Sequence, residues 1–219
     1  NNRLADSSYA RDRQWNGLSP FGRQVVAEMN RLGIMVDVSH LGDASAKEAI
    51  ALSRVPVIAS HSAFRHFTPG FERNISDEIA RLVAEKGGVV QVPFGTAFIN
   101  PDSAADTQAH FRAINAFNTR NAELKAQGQP EQDRAAFDKA WAAAHPVRSS
   151  TLAQVLEQID HGVKLLGIDH VGIGGLAAVA GAAADAGATA RPPQRSPPAR
   201  AIRAPTSPAP AARRTAPPA

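Results

Sequence analysis

The 219-residue chain has no cysteine, a single tyrosine, two tryptophans and two methionines. The missing cysteine excludes disulfides and thiolate metal sites while leaving the cellular compartment open. Long apolar runs are lacking as well. None approaches the roughly 18–20 consecutive apolar residues of a membrane-spanning helix. The chain begins at Asn1 with no methionine, no basic segment and no apolar leader. A secretory signal is therefore not in view, and periplasmic and cytoplasmic locations both stay open. From Leu176 onward, lysine and aromatic residues are absent altogether.

What is present divides unevenly. The whole chain carries +4, yet residues 176–219 hold six arginines against one acid, Asp185, or +5. The first 175 residues are thus near neutral, at −1, and the sequence pI of about 10 belongs to the tail. That tail also holds nine of the sixteen prolines and has no usable periodicity. Composition of this kind predicts disorder. Two origins fit it: a genuine Pro/Ala/Arg-rich linker, or out-of-frame translation of a GC-rich gene, since Ala, Pro, Arg and Gly are written by all-G/C codons. As a nucleic-acid ligand the tail is poor, because it lacks base-stacking aromatics and a dense basic patch.

Ahead of the tail, helix and strand signals alternate. "SPFGRQVVAEMNRLG" offers Ser19 as N-cap, Pro20 at the first helical position and Gly33 as the stop, with Phe21, Val25, Met29 and Leu32 as an apolar face. "IMVDVSH" predicts a strand, Asp43 a helix cap, "VPVIASHS" a second strand, "SDEIARLVAEKGG" a helix capped by Ser76, and "GVVQVPF" a third strand. Residues 101–148 predict a helical excursion broken at "QGQP". "TLAQVLEQIDHGVKLLG" predicts an amphipathic helix with Leu152, Val155, Leu156, Ile159, Val163 and Leu166 on one side, and "DHVGIGG" a fourth strand. Strands alternating with helices argue for βα units and a parallel sheet. The domain reading is a partial α/β barrel over 1–175 and a disordered low-complexity tail over 176–219.

Two strand segments end in the same pair, Ser39-His40 and Ser60-His61. Neighbouring parallel strands lie about 4.8 Å apart and end on one edge. Imidazoles projecting from that edge in equal phase can share one divalent ion at about 2.0–2.1 Å each. The plainer reading, that each histidine simply closes a strand near solvent, stands beside it. Asp37, three residues before His40, suits a group that orients a histidine or a loop, or an ordinary buried hydrogen-bonding role. His66, His110, His145 and His161 read as surface or loop residues, and His170 lies at the start of a strand, the wrong end for a ligand.

"GLSPFGRQVVAEMNRLGIMVDVSH", "PVIASHS", "RNISDE" and "GGVVQVPF", in this order and spacing, resemble the membrane dipeptidase (renal dipeptidase) family of zinc peptidases. "NNRLADSS" and "GIDHVGIG" fit as well, so the resemblance spans about residues 1–174. It implies a (β/α)8 TIM-type barrel, here about four βα units, with two zinc ions at the C-terminal mouth of the complete site. It implies hydrolysis of dipeptides, with His40 and His61 as the ligands of the second zinc and Arg73 gripping the substrate carboxylate. A homodimer is compatible with it for the intact protein.

The resemblance also implies parts that this chain does not hold. The first zinc's His-x-Asp pair, the bridging glutamate and a substrate-contacting histidine match positions before Asn1. The fourth-strand motif should continue Gly-Ser-Asp-Phe-Asp-Gly, where the chain reads "GIGGLAAVAG". No residue is therefore assigned as catalytic. The expectation is a fragment of a zinc metallodipeptidase, inactive alone, with one weak zinc site at most. The alternative is a non-catalytic barrel remnant that binds peptide carboxylates.

Overall fold

The computed structural model describes residues 2–10 and 12–174. The expected tail at 176–219 lies outside them. Ten elements follow in order: α1 (Pro20–Leu32), α2 (Asp43–Leu52), β1 (Ile58–Ala59), α3 (Asp77–Glu85), β2 (Val89–Pro93), α4 (Thr96–Ile99), α5 (Pro101–Ala126), α6 (Arg134–Ala144), α7 (Leu152–Leu166) and β3 (Val171–Gly174). Short 3-10 turns at Arg65–Phe67 and Ile168–His170 link some of them. The strands form one parallel sheet in the order β1-β2-β3. Ile58 pairs with Val89, and Val90 through Pro93 pair with Val171 through Gly174. This is an α/β arrangement, rich in helix around a small sheet.

The segment expected as a first strand pairs at a single point. Asp37 bridges Ile58 in parallel, with Val38 N–H donating to Ile58 O (2.8 Å) and Ile58 N–H to Val36 O (3.0 Å). A turn at Ser39-His40 then ends the pairing, because His40 takes a left-handed φ of 69°. The four expected strands thus become three strands and one bridge, ranged in chain order.

Helix ends follow local chemistry. Ser19 accepts Gly22 N–H and Ser76 accepts Ile79 N–H, while Gly33 closes α1 at φ 72°. Thr151 and Gln154 form a full capping box on α7. Asp43 does not cap α2. Gly42 occupies the cap position, and Asp43, the first helical residue, pairs with Arg65 (2.6 Å).

Two expected apolar faces are rotated from the faces that pack. On α1, Phe21 and Leu32 are exposed and Gly22 and Val26 are buried. A β-carbon on Gly22 would meet Leu4 O at 2.1 Å, so α1 seats directly on the N-terminal segment. On α7, Leu152 and Leu156 are exposed while Gln158 and Gly162 are buried. Gln158 Oε1 accepts Phe64 N–H (2.8 Å), a bond from helix to loop that no apolar residue makes. The core beneath the sheet comprises Val57, Ala59, Phe64, Ile79, Val83, Val90 and Val92, each at most 2% exposed.

Candidate metal centre

His40 follows the Asp37 bridge and His61 follows β1, so both leave the C-terminal edge of the sheet. Their Nε2 atoms stand 2.9 Å apart. Arg73 comes from the loop before α3 and is 2% exposed. Its Nη2 donates to His40 Nε2 (3.1 Å) and its Nη1 to Ser62 Oγ (2.9 Å), while its guanidinium lies 4.8 Å over the Phe98 ring. Its Nε is buried without a hydrogen-bond partner. The structure therefore gathers His40, His61 and Arg73 at one place.

Asp37 ties the two strand ends together. Its Oδ1 accepts Ser39 N–H (2.9 Å) and Ser60 N–H (3.2 Å), and its Oδ2 accepts the Ser60 hydroxyl. Ser60 Oγ also contacts His61 Nδ1 (2.7 Å), and Ser39 Oγ accepts His61 N–H (3.2 Å). The doubled Ser-His pair thereby gains a physical meaning: each serine serves His61. Holding His40 in the left-handed region costs about 1 kcal/mol, and the Asp37 turn secures it there.

Electrostatics keep both rings neutral. Burial first, then the Arg73 charge, hold His40 down at about 4, and the same two causes lower His61. Burial lowers Arg73 from its ordinary value. Partial burial alone would raise Asp37, yet the Ser60 and Ser39 hydrogen bonds prevail and its carboxyl ends below the usual range. Neutral imidazoles are the form that ligates metal.

Zinc is four-coordinate with nitrogen and oxygen donors at about 2.0–2.2 Å. Two imidazole nitrogens 2.9 Å apart fit within that reach. No third histidine, aspartate or glutamate joins them within ligand range among the described residues. The donor set fits part of a zinc site.

In front of Arg73 opens a cavity of about 410 Å³, lined by Tyr9, Phe71, Glu72, Phe111 and Arg112 among others. Tyr9 stacks on Phe111 of α5 (4.1 Å between centroids) and tilts towards His40 (6.0 Å). Burial raises the Tyr9 hydroxyl's pKa, with the nearby Arg73 pulling the other way. Sequence reasoning missed Tyr9 and Phe111, because their roles depend on α5 folding back over the N-terminal segment.

The membrane dipeptidase family (Peptidase family M19) matches residues 1–184. The chain belongs to that family. It is 40% identical over 105 residues to Dipeptidase 3 of Mus musculus, which covers 45% of this chain and 21% of the mouse protein. The probable dipeptidase PvdM from Pseudomonas aeruginosa superposes with a TM-score of 0.60 at 30% identity, over 79% of this chain and 47% of that one. A metallo peptidase from Rhodobacter sphaeroides, solved with a phosphinate mimic of the dipeptide L-Ala-D-Ala, reaches 0.51 at 28% identity, over 72% of this chain and 33% of its own. The chain thus spans between about a fifth and a half of these relatives' lengths. The family model and the mouse relative are both named for dipeptidases.

The remaining histidines sort by contact. His161 on α7 approaches both carboxylate oxygens of Asp77 (3.0 and 3.1 Å), and His66 stacks on its ring at 4.5 Å and 17°. These three residues offer ligand atoms within 4.8 Å of one another, a grouping that reading His66 and His161 as surface residues missed. Nearly parallel rings cannot both aim a nitrogen at one ion until His66 turns, so as it stands the cluster ties α7 to α3. His170 Nδ1 contacts Gly88 O (2.8 Å) at the opposite end of the sheet from His40. No described helix is long and apolar enough to cross a membrane.

Proposed function

We propose that this chain carries the second-metal ligands and the carboxylate grip of a zinc dipeptidase. His40 and His61 are the metal ligands and Arg73 the substrate-carboxylate residue. The observation that carries this reading is the approach of the two histidine Nε2 atoms to 2.9 Å, directly beside buried Arg73. When bound, zinc lowers the pKa of water to about 7 and polarises a carbonyl. His40 and His61 present neutral nitrogens for that ion. Arg73 holds a planar fork whose Nε still lacks a partner, which suits bidentate capture of a terminal carboxylate. The cavity beside it is of small-ligand size and has aromatic walls in Tyr9 and Phe111. A dipeptide is the substrate class that such a site accepts.

The parallel order β1-β2-β3, with the Asp37 bridge ahead of it, supports reading the sheet as an arc of a (β/α)8 barrel. The chain divides into that arc, over 1–175, and the 176–219 tail. Two imidazoles without a carboxylate partner support at most one weak zinc site. The isolated chain is accordingly inactive, since the loss of general acid–base assistance alone costs on the order of 10²–10⁴ in rate.

Titration calorimetry of metal-free protein with Zn²⁺ tests the reading. One equivalent should bind to the wild type and none to H61N; equal binding by both overturns it. Chelator-sensitive hydrolysis of Ala-Ala by the pure chain overturns the claim of inactivity. Arg73→Gln should abolish dipeptide binding, with Arg73→Lys intermediate because a point charge replaces a fork. Wild-type binding of dipeptide without any metal binding would favour a carboxylate-binding remnant, which the buried Arg73 also supports.

A further inference from the structure

The hydrogen atoms around His61 can be counted one by one. An ionised carboxylate only accepts hydrogen bonds. Asp37 Oδ2 faces the Ser60 hydroxyl, so that hydroxyl's single hydrogen is committed to Asp37. Ser60 Oγ then has only lone pairs left for His61 Nδ1 at 2.7 Å, and the hydrogen between them must be on Nδ1. A neutral imidazole carries one N–H. His61 Nε2 is therefore bare.

The same count applies to His40. Arg73 Nη2 has hydrogens and no lone pair, so its contact at 3.1 Å requires a bare His40 Nε2. Two bare nitrogens thus face each other at 2.9 Å, a separation that a shared proton or a metal ion would bridge. Protonation of either ring is opposed by the Arg73 charge.

We propose that Asp37, acting through the Ser60 hydroxyl, is the positioning group that sets the tautomer of His61 and so points its lone pair at that of His40. Neither residue touches the ion; both act through His61. The inference rests on the metal reading above only for its purpose, and its test does not need metal. Ser60 is half-buried and Asp37 is solvent-exposed, so water competes for the same bonds and the effect belongs at the modest end of the range for outer partners of a metal ligand.

The test is a long-range ¹H–¹⁵N correlation spectrum of the metal-free, ¹⁵N-histidine-labelled chain near pH 7.5. Wild type should show His61 protonated at Nδ1, and S60A and D37N should move His61 towards the Nε2–H form. Ser60→Thr, which keeps the hydroxyl, should restore the wild-type pattern. An Nε2–H form in the wild type overturns the proposal, as does a pattern unchanged in S60A. The wild-type spectrum decides the first point without any variant, should D37N fail to fold. Co²⁺ titration then separates the two readings. About tenfold weaker binding in S60A supports both. Nδ1–H at His61 in a wild type that binds no Co²⁺ supports the positioning role and overturns the metal one.

Discussion

The sheet region from Val36 to Pro93 and the helical pair α5–α6 are built by different means. In the first, Ala59, Ala63, Phe64, Val90 and Val92 are entirely buried, and strand ends are joined by hydrogen bonds through Asp37, Ser39 and Ser60. In the second, α6 buries no residue, and α5 buries only Ser103, Ala104, Phe117 and Leu124 of its 26 residues. Rings hold that pair instead: Phe117 meets Phe137 at 4.7 Å and His110 meets Trp141 at 4.9 Å, while Trp141 stacks on His145 at the end of its own helix at 3.9 Å. A close-packed layer can hold two imidazoles at a set separation, whereas a ring-stapled helical pair suits a cavity wall. Accordingly His40 and His61 sit on the first region, and the second contributes Phe111 to the cavity.

The sharpest way to break this contrast is by truncation. Phe64→Ala should cost about 3–5 kcal/mol, because its ring is fully buried. Phe137→Ala, on a helix that buries nothing, should cost less than about half of that. Urea denaturation of both variants checks it, and equal losses would erase the distinction. At the site itself, H61N should weaken Zn²⁺ at least 100-fold, beyond the roughly 10–100-fold that loss of an outer partner costs. H40N should weaken the ion comparably while keeping the thermal midpoint, since asparagine tolerates the left-handed φ that His40 adopts.

Smaller differences separate a glycine packed against the sheet region from one between α5 and α6. A β-carbon on Gly162 would meet the Phe64 ring at 2.6 Å, so G162A should destabilise by about 1–3 kcal/mol. Gly128, between α5 and α6, has open space around it and only its φ of 68° to protect, so G128A should cost about 1 kcal/mol. Melting curves of the two variants rank them. The smallest expected effect is with pH, because solvent around the exposed His40 screens it. The folded value of His40, about 4, lies below its ordinary 6.5. Between those values the unfolded chain takes up a proton that the folded chain refuses, so this contribution is whole above pH 6.5 and is lost as pH falls towards 4. H40N should flatten that slope in denaturation measured from pH 7 to 4.

Local signals were legible wherever the chemistry is local. Ser19, Ser76 and Gly33 mark helix ends through bonds to residues a few positions away, and they do so in the structure. The Asp43 cap misled because Arg65, 22 positions on, claims that carboxylate. Periodicity found α7 and set Val155 and Leu166 against the core, but it put the exposed Leu152 and Leu156 on the same face. It could not foresee that Gln158 would be buried to hold the Phe64 backbone, or that Gly162 would admit the Phe64 ring. The repeated Ser-His pair was visible as a pattern, while the Asp37 carboxylate that gives it a purpose was visible only as an aspartate in an apolar run.

By itself, then, the sequence determined which residues could start helices, which runs could pair as parallel strands, and which side chains were candidates at one sheet edge, because these follow from short-range sterics, capping and alternation. Tertiary structure alone decided that His40 and His61 meet at 2.9 Å, that Arg73 is buried against them and that Tyr9 meets Phe111. Those are contacts between residues 21 to 102 positions apart. No local rule reaches that far, and only the packing of one core brings them together.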